Sequence, residues 1–196
     1  METEPLKLIV GLGNPGPKYA GTRHNAGLWF LEVLARETGQ TLREERKFQG
    51  YYSKAPWLGT DLHLLFPTTL MNRSGQSIKA VADFFKIAPE SILVAHDELD
   101  LPPGTARFKQ GGGHGGHNGL RDTVRHLGSS DFRRLRVGIG HPGDSKQVIN
   151  YVLATAGKQE TTAIEAALDE AIRALPDGLK GDWPAAMNRL HAFEYE

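Results

Sequence analysis

A Gly- and Pro-rich segment near the start of the chain constrains the fold more than any other feature. Residues 11–27 read GLGNPGPKYAGTRHNAG and lie between two apolar runs. Residues 7–12 have the β-branched and leucine content of a buried strand, and the apolar residues of 28–34 surround most of a helix that ends before Gly39. We therefore predict a strand, a polar loop and a helix capped by Asn25, so that both ends of the loop are anchored.

The rest of the chain alternates apolar strand patterns with helical patterns. Further strands are predicted at residues 48–53, 61–66, 92–95, 106–109 and 135–140, the first two joined by a turn around Pro56 and Gly59. Further helices are predicted from Ser74 to Phe85, from the end of the segment GGGHGGHNG to His126, over residues 147–154 and over residues 184–193. Another is predicted to begin at a capping box formed by Thr162 and Glu165 and to end at Leu175. This alternation predicts an α/β fold, a single three-layer domain (residues 1–196) with a twisted, mostly parallel mixed sheet flanked by helices.

Composition excludes several classes of function. The chain has no cysteine, which rules out a disulfide framework and a thiol nucleophile. Lys and Arg together number 23, as do Asp and Glu, so any contact with a nucleic acid has to come from a local basic patch. No window approaches the roughly 18 apolar residues of a membrane span and no signal core is present, so we expect a soluble, cytoplasmic protein.

Polar side chains follow several of the predicted strands. Ligands of open α/β sheets collect at the carboxyl ends of strands, and the loops after residues 10, 66, 95, 109 and 140 carry most of the unusual polar residues. His24 lies in the first loop and Asp97 directly follows the central strand, so the two are predicted to form a carboxylate–imidazole general base. Taken alone, His24 is explained more simply as a loop histidine bonded to a local carbonyl. No serine stands in a nucleophile elbow, so an activated water is the simplest nucleophile.

Three asparagines, Asn14, Asn72 and Asn118, each occupy a Gly-rich loop. The ordinary explanation of such an asparagine is turn formation. Three of them at separate loops also provide neutral amides that donate and accept hydrogen bonds, which suits a peptide-like ligand or a developing oxyanion.

The segment GGGHGGHNG, residues 111–119, invites a zinc site formed by His114 and His117 with His96 or His24. It lacks an HExxH helix and a third ligand at suitable spacing, whereas its glycines indicate a flexible flap with exposed backbone N–H groups. Seven basic residues bracket this flap: Arg107, Lys109, Arg121, Arg125, Arg133, Arg134 and Arg136. They predict a basic patch, and the alternative is an ordinary solvated surface.

The spacing Gly11-x-Gly13-x-x-Gly16 after a strand also matches the dinucleotide-binding fingerprint. That fingerprint needs a helix that begins within the glycines, and Pro15 and Pro17 forbid a helix there. We therefore predict no dinucleotide, and the sequence predicts no other cofactor and no metal.

The first loop is followed, in order, by the segments TTLMNRSG, HDELDLPPG, GGGHGGHNGLR, LRVGIGHPG and NRLHAF. In these segments the sequence resembles the bacterial-type peptidyl-tRNA hydrolases, and the resemblance covers nearly the whole chain. The resemblance implies a monomeric, metal-free α/β hydrolase. Its expected substrate is peptidyl-tRNA, in which it cleaves the ester between an N-blocked peptide and the tRNA 3′ end and so recycles tRNA from stalled translation.

The resemblance also implies roles for individual residues. His24 is similar to the base, Asp97 to the residue that keeps it basic, and Asn14 to the residue that distinguishes blocked from unblocked aminoacyl groups. Asn72 and Asn118 complete the implied catalytic set, and both also match substrate contacts. Further implied contacts with peptide or tRNA are Tyr19, Leu70, Met71, His117, Arg107, Lys109 and Arg136. Leu70 departs from the family, which often has an aromatic residue there.

Two other classes remain open on sequence alone. In a non-enzymatic RNA-binding module, the basic flap would be the whole function and the proximity of His24 to Asp97 accidental. A metallohydrolase would lose its activity with a chelator.

Overall fold

The structure, a computed structural model, describes residues 4–196. Its strands are β1 (Leu8–Gly11), β2 (Arg43–Glu45), β3 (Gly50–Trp57), β4 (Thr60–Pro67), β5 (Ile92–Glu98), β6 (Ala106–Gln110) and β7 (Arg133–Gly138). Its α-helices are α1 (Ala26–Glu37), α2 (Ser74–Phe85), α3 (Asn118–Leu127), α4 (Val148–Val152), α5 (Lys158–Leu179) and α6 (Trp183–His191).

The strands form a single seven-stranded sheet in the order β2-β3-β4-β1-β5-β7-β6. β4, β1, β5 and β7 are parallel to one another, whereas β2, β3 and β6 pair antiparallel with their neighbours. The predicted single α/β domain with a mostly parallel mixed sheet is therefore confirmed.

Helices cover both faces of this sheet and create two hydrophobic cores. Alternate residues of β1 point to opposite faces, so Ile9 packs in the core with α1 and α5, whereas Val10 packs in the core with α2. Within residues 4–196, none of the helices combines the length and the apolar character that a transmembrane segment requires.

Three predicted capping interactions were wrong, because a local capping signal does not show which tertiary partner a side chain takes, although Asn25 does occupy the N-cap position of α1 as predicted. The Asn25 side chain makes no capping bond and instead ties down the backbone of Asn14. Ser74 is the first residue of α2, and its hydroxyl donates to the carbonyl of Met71. The Thr162 hydroxyl donates to the carbonyl of Lys158 inside α5, which begins one turn earlier than the capping box predicted.

The edge of the sheet also differs from the prediction. β2 was not predicted, since REE lacks apolar alternation. Pro56 lies within β3, and the turn to β4 consists of Leu58 and Gly59, both with positive φ as a two-residue hairpin turn requires.

A close approach between α1 and β5 brings the first loop onto the end of the central strand. A Cβ atom on Gly27 would lie 2.2 Å from the carbonyl oxygen of Ala95, so only glycine permits this contact. The start of α1, and with it His24, is thereby held against Asp97 at the end of β5.

The flap does not begin at the carboxyl ends of the parallel strands, where the polar loops were predicted to gather. β6 runs antiparallel to β7, so Gln110 pairs with Arg133 at the amino end of the parallel strands. The flap crosses to the carboxyl ends of the parallel strands, where α3 begins. There His117 and Asn118 meet the other polar loops, whereas the flap residues next to β6 do not.

Candidate active site

A cleft of about 610 Å³ lies at the carboxyl edge of the parallel strands. It brings together nine of the residues that sequence reasoning proposed: Asn14, Tyr19, His24, Leu70, Met71, Asn72, Asp97, His117 and Asn118. The predicted basic contacts Arg107, Lys109 and Arg136 are not part of its lining.

Asp97 stands at the centre of the cleft floor and accepts hydrogen bonds from two imidazoles. Its Oδ2 lies 2.8 Å from Nδ1 of His24, and its Oδ1 lies 2.7 Å from Nε2 of His117. The rings of His24 and His117 are 5.0 Å apart, centroid to centroid. The carboxylate therefore uses one oxygen for each histidine.

The hydrogen bonds of the two histidines define which nitrogens carry protons. Nδ1 of His117 accepts from the backbone N–H groups of Gly119 and Leu120, so His117 caps α3 and carries its proton on Nε2. His24 in turn donates its Nδ1–H to Asp97. Nε2 of His24 is left unprotonated and has no partner within residues 4–196, which is the state of a general base.

The surroundings shift the pKa values of Asp97 and His24 in opposite directions. Burial alone would raise the pKa of the Asp97 carboxyl, but its electrostatic interactions with His24 and His117, and the hydrogen bonds that both donate, hold that pKa well below its usual range. Burial works to lower the pKa of His24, yet the charge of Asp97 and its hydrogen bond outweigh burial, so the pKa lies above the ordinary value of 6.5. Asp97 is thus an anion that stabilises the protonated form of His24.

A third histidine, His96, lines the buried part of the cleft and stays neutral. Burial, with a smaller contribution from the neighbouring His117, lowers the pKa of His96 to about 3. Its ring hydrogen-bonds through Nδ1 to the carbonyl of Asp97 at 2.9 Å. His96 therefore steadies the backbone of Asp97 and does not join His24 and His117 in one ligand set.

Among residues 4–196, the group able to hold a metal ion is His24, Asp97 and His117, whose ligand atoms lie within 4.8 Å of one another. The predicted zinc alternative with His114 differs from this group, since the Nδ1 of His114 accepts from the N–H of Gly116 inside the flap. A cation between His24 and His117 would have to replace both hydrogen bonds to Asp97, and a typical zinc–nitrogen distance of about 2.1 Å requires the ligands to move closer together.

The Asn14 amide is oriented by a network of buried hydrogen bonds. Asn25 accepts the N–H of Asn14 at 2.8 Å and donates to its carbonyl at 3.0 Å. The Oδ1 of Asn14 accepts the N–H of Met71 at 2.9 Å, and its Nδ2 has no hydrogen-bond acceptor in the described part of the chain. Asn72 and Asn118 are exposed, and their side-chain amides bond to no other residue of the described chain. The three amides thus offer donors to a ligand in the cleft.

The remaining cleft residues differ in exposure. Leu70 is 57% exposed at the rim, whereas Met71 is 5% exposed beneath it. Tyr19 is partly buried in the first loop.

Of the predicted basic patch, only part is available at the surface. Arg107 and Lys109 are exposed on the same face of β6, and Arg107 pairs in register with Arg136 of β7. Arg136 donates to Glu98 at 2.8 Å, so its charge is partly compensated. Arg133 and Arg134 are buried and do not belong to the patch: Arg133 lies over Trp183, and Arg134 donates to the flap carbonyls of Gly112 and Gly113.

Sequence reasoning missed three contributors to the site. Asn25 was assigned to a helix cap, although its position eleven residues after Asn14 in the same loop was visible. Glu98, the partner of Arg136, directly follows Asp97 in the sequence but was not predicted to belong to the site. α4 was predicted as a helix, but nothing in its pattern indicated that Val148, Ile149 and Val152 line the cleft.

A mixed α/β sheet with a buried carboxylate and a free imidazole nitrogen at its carboxyl edge is the arrangement of an α/β enzyme with acid–base chemistry. Known proteins narrow this class. The family model for peptidyl-tRNA hydrolase matches residues 8–196. A peptidyl-tRNA hydrolase of Marinobacter nauticus is 64% identical over 191 residues, which cover 97% of each chain, and one of Chromohalobacter salexigens is 61% identical over 189 residues, covering 96% of this chain and 97% of that protein.

A crystal structure of peptidyl-tRNA hydrolase from Acinetobacter baumannii superposes with a TM-score of 0.94 at 50% identity, covering 99% of this chain and 97% of the other. The chain therefore belongs to the peptidyl-tRNA hydrolase family.

Proposed function

We propose that His24 activates a water molecule for the reaction of this enzyme, the hydrolysis of the ester bond in peptidyl-tRNA. The reaction itself follows from membership of the family. The observation that carries the proposed mechanism is the 2.8 Å hydrogen bond from Nδ1 of His24 to Asp97, because it leaves Nε2 free to accept a proton in the cleft.

In the proposed reaction, Nε2 of His24 takes a proton from water as the water oxygen attacks the ester carbonyl. The resulting imidazolium is stabilised by Asp97 and returns the proton to the departing 3′ ribose oxygen. The bond between the carbonyl carbon and that oxygen breaks, which releases a peptide with a free carboxyl group and an intact tRNA. A ribose ester is more reactive than an amide, so one base and an ordered water are sufficient without a metal, a cofactor or a nucleophilic serine.

The amides of Asn14, Asn72 and Asn118 supply the neutral part of the site. In this proposal they donate to the carbonyl oxygens of the peptide and to the oxyanion that forms on the attacked carbon. A free α-ammonium group would bring a charge that these amides cannot balance, so the N-blocked substrate is preferred.

The tRNA and the peptide are proposed to bind on different sides of the cleft. Lys109, Arg107 and Arg136 lie outside the cleft and suit the phosphates of the tRNA acceptor end. Tyr19, Leu70, Met71 and His117 line the cleft and suit the terminal nucleoside and the first residues of the peptide. We further propose that residues 1–196 act as one peptidyl-tRNA hydrolase domain, as a monomer in the cytoplasm.

Incubation with an N-acetyl-aminoacyl-tRNA tests the proposal against its two rivals. The expected result is release of the blocked amino acid at a rate that a chelator leaves unchanged. Binding without release would identify a non-enzymatic RNA-binding module, and loss of activity with chelator, restored by zinc, would identify a metallohydrolase.

A further inference from the structure

Arg23, the residue before His24, makes an unusual number of contacts with a distant part of the chain. Its guanidinium donates from Nε and from the second terminal nitrogen to both carboxylate oxygens of Glu160, at 2.8 and 2.9 Å. Its remaining terminal nitrogen donates to the carbonyl of Tyr151 at 2.9 Å, and the guanidinium lies 4.0 Å from the centre of the Tyr151 ring. The side chain of Arg23 is only 11% exposed.

These contacts join the turn that carries His24 to α4. Tyr151 lies within α4, and its hydroxyl donates to the carbonyl of Ile139 at 2.6 Å. The backbone N–H of Arg23 also donates to the carbonyl of Ala154 at 3.2 Å. α4 is therefore attached to the turn of His24 and, through Glu160, to the first turns of α5.

α4 forms the apolar wall of the cleft. Val148, Ile149 and Val152 of α4 line the cleft, together with Leu153 directly after the helix. Ile149 is 72% and Leu153 41% exposed, and Leu70 is exposed at the rim. Large apolar side chains exposed around one cleft mark a site for an apolar ligand. Phosphates are excluded from such a wall, so the peptide is the part of the substrate that meets it.

We propose that Arg23 is a positioning residue that sets the distance between the apolar α4 wall and His24, and thereby determines how well peptides longer than one residue bind. This inference rests on the proposed function of the cleft. Arg23 does not line the cleft, so it acts through Tyr151 and Glu160 and not by touching the substrate. The planar guanidinium is needed because one group has to serve two carboxylate oxygens, a carbonyl and a ring face at once, which a lysine ammonium cannot do.

Glu160 provides the sharpest test, because it lies outside the cleft and, among the charged side chains of residues 4–196, contacts Arg23 alone. The KM and kcat of Glu160→Ala are measured with N-acetyl-aminoacyl-tRNA and with an N-acetyl-tripeptidyl-tRNA of apolar residues. The KM of the tripeptidyl substrate is expected to rise about 3- to 10-fold, that of the aminoacyl substrate less than about 2-fold, and kcat to stay within about 2-fold for both. Glu160→Gln, which keeps a hydrogen-bonding group, should show a smaller rise in KM.

Glu170→Ala is the matched control. Glu170 lies on the same helix α5 and forms ion pairs with Arg173 and Arg189 away from the cleft. It is expected to leave both KM values unchanged. A general loosening of α5 would affect both variants alike, so equal KM changes in Glu160→Ala and Glu170→Ala would contradict the role of Arg23.

Two other results would also overturn the proposal. One is an unchanged ratio of the two KM values in Glu160→Ala and in Arg23→Lys. The other is a fall in kcat, equal for both substrates, with a shifted acid limb of the pH profile, because Arg23 would then act on His24 itself. Failure of the proposed hydrolysis is a separate outcome, visible as the absence of turnover in the parent enzyme.

Discussion

Replacing Asp97 by asparagine would change which ring nitrogen of His24 carries the proton, while a side chain remains at position 97. Nε2 of His117 has to keep its proton, because Nδ1 of His117 accepts from Gly119 and Leu120. In Asp97→Asn the amide oxygen would therefore face His117, and the amide NH₂ would face Nδ1 of His24. That nitrogen would then have to accept a hydrogen bond, so the proton of His24 would move to Nε2, the atom proposed to act as the base.

The size of the effect follows from this change of tautomer. A correctly placed general base contributes about 10²- to 10⁴-fold to a rate, and a carboxylate-to-amide change that fixes the wrong imidazole tautomer removes most of such a contribution. We therefore expect kcat of Asp97→Asn to fall about 10²- to 10⁴-fold, equivalent to about 2.7 to 5.4 kcal/mol of lost transition-state stabilisation. The mutation also removes the charge that raises the pKa of His24, so the residual activity should persist to lower pH than in the parent.

The assay combines turnover of N-acetyl-aminoacyl-tRNA with ¹⁵N NMR of the His24 ring, which reports the protonated nitrogen. Asp97→Asn combined with His117→Ala is the internal check, with His117→Ala alone as its control. Without the N–H of His117, the amide can turn its oxygen to His24, and kcat should recover about tenfold relative to Asp97→Asn. Parental turnover of Asp97→Asn with His24 protonated on Nε2 would refute this reasoning.

Three further predictions concern tRNA binding, selectivity and stability. Binding of tRNA should weaken with salt at a log–log slope of about −2 to −4, and Lys109→Ala should flatten this slope by about 0.7 to 0.9. Arg136→Ala should flatten it less, because the Arg136 cation is already paired. Equal slopes in the parent and both variants would show that the tRNA binds elsewhere. Asn14→Asp should narrow the preference for N-blocked over free aminoacyl-tRNA, and an undiminished ratio of kcat/KM values would remove Asn14 as the selecting group. The carboxylate of Asp122 accepts the buried N–H of Gly75 at 2.8 Å at the start of α2; Asp122→Ala should therefore lower the free energy of unfolding by about 1 to 2 kcal/mol in urea titrations, with Asp122→Asn losing less.

Much of the sheet was predictable because its central strands are apolar on both faces. β1 and β5 have continuous buried residues, and such strands are parallel neighbours in α/β folds. The positions of His24 after β1 and of Asp97 at the end of β5 were therefore enough to predict that the two side chains meet. The 2.8 Å distance between Nδ1 of His24 and Oδ2 of Asp97 confirms this contact. The catalytic role of the pair stays a prediction.

The unpredicted features depend on contacts between distant residues. Asn25 has the side chain of a helix cap, and only the folded loop shows that Asn14 takes its hydrogen bonds. Arg134 looked like a surface cation because burial of a guanidinium requires partners, here the carbonyls of the flap, that no local pattern reveals. The direction of β6 is likewise decided by its pairing with β7 and not by its own residues.

The most direct test of the central claim is the turnover of His24→Ala on N-acetyl-aminoacyl-tRNA, measured across pH together with tRNA affinity. The parent should gain activity as His24 loses its proton, with the midpoint above the ordinary pKa of 6.5 because Asp97 raises the pKa of His24. His24→Ala should lose about 10²- to 10⁴-fold in kcat and lack this acid limb, while tRNA affinity changes less than about 2-fold. A folded His24→Ala protein that hydrolyses at the parental rate would contradict the assignment of His24 as the base.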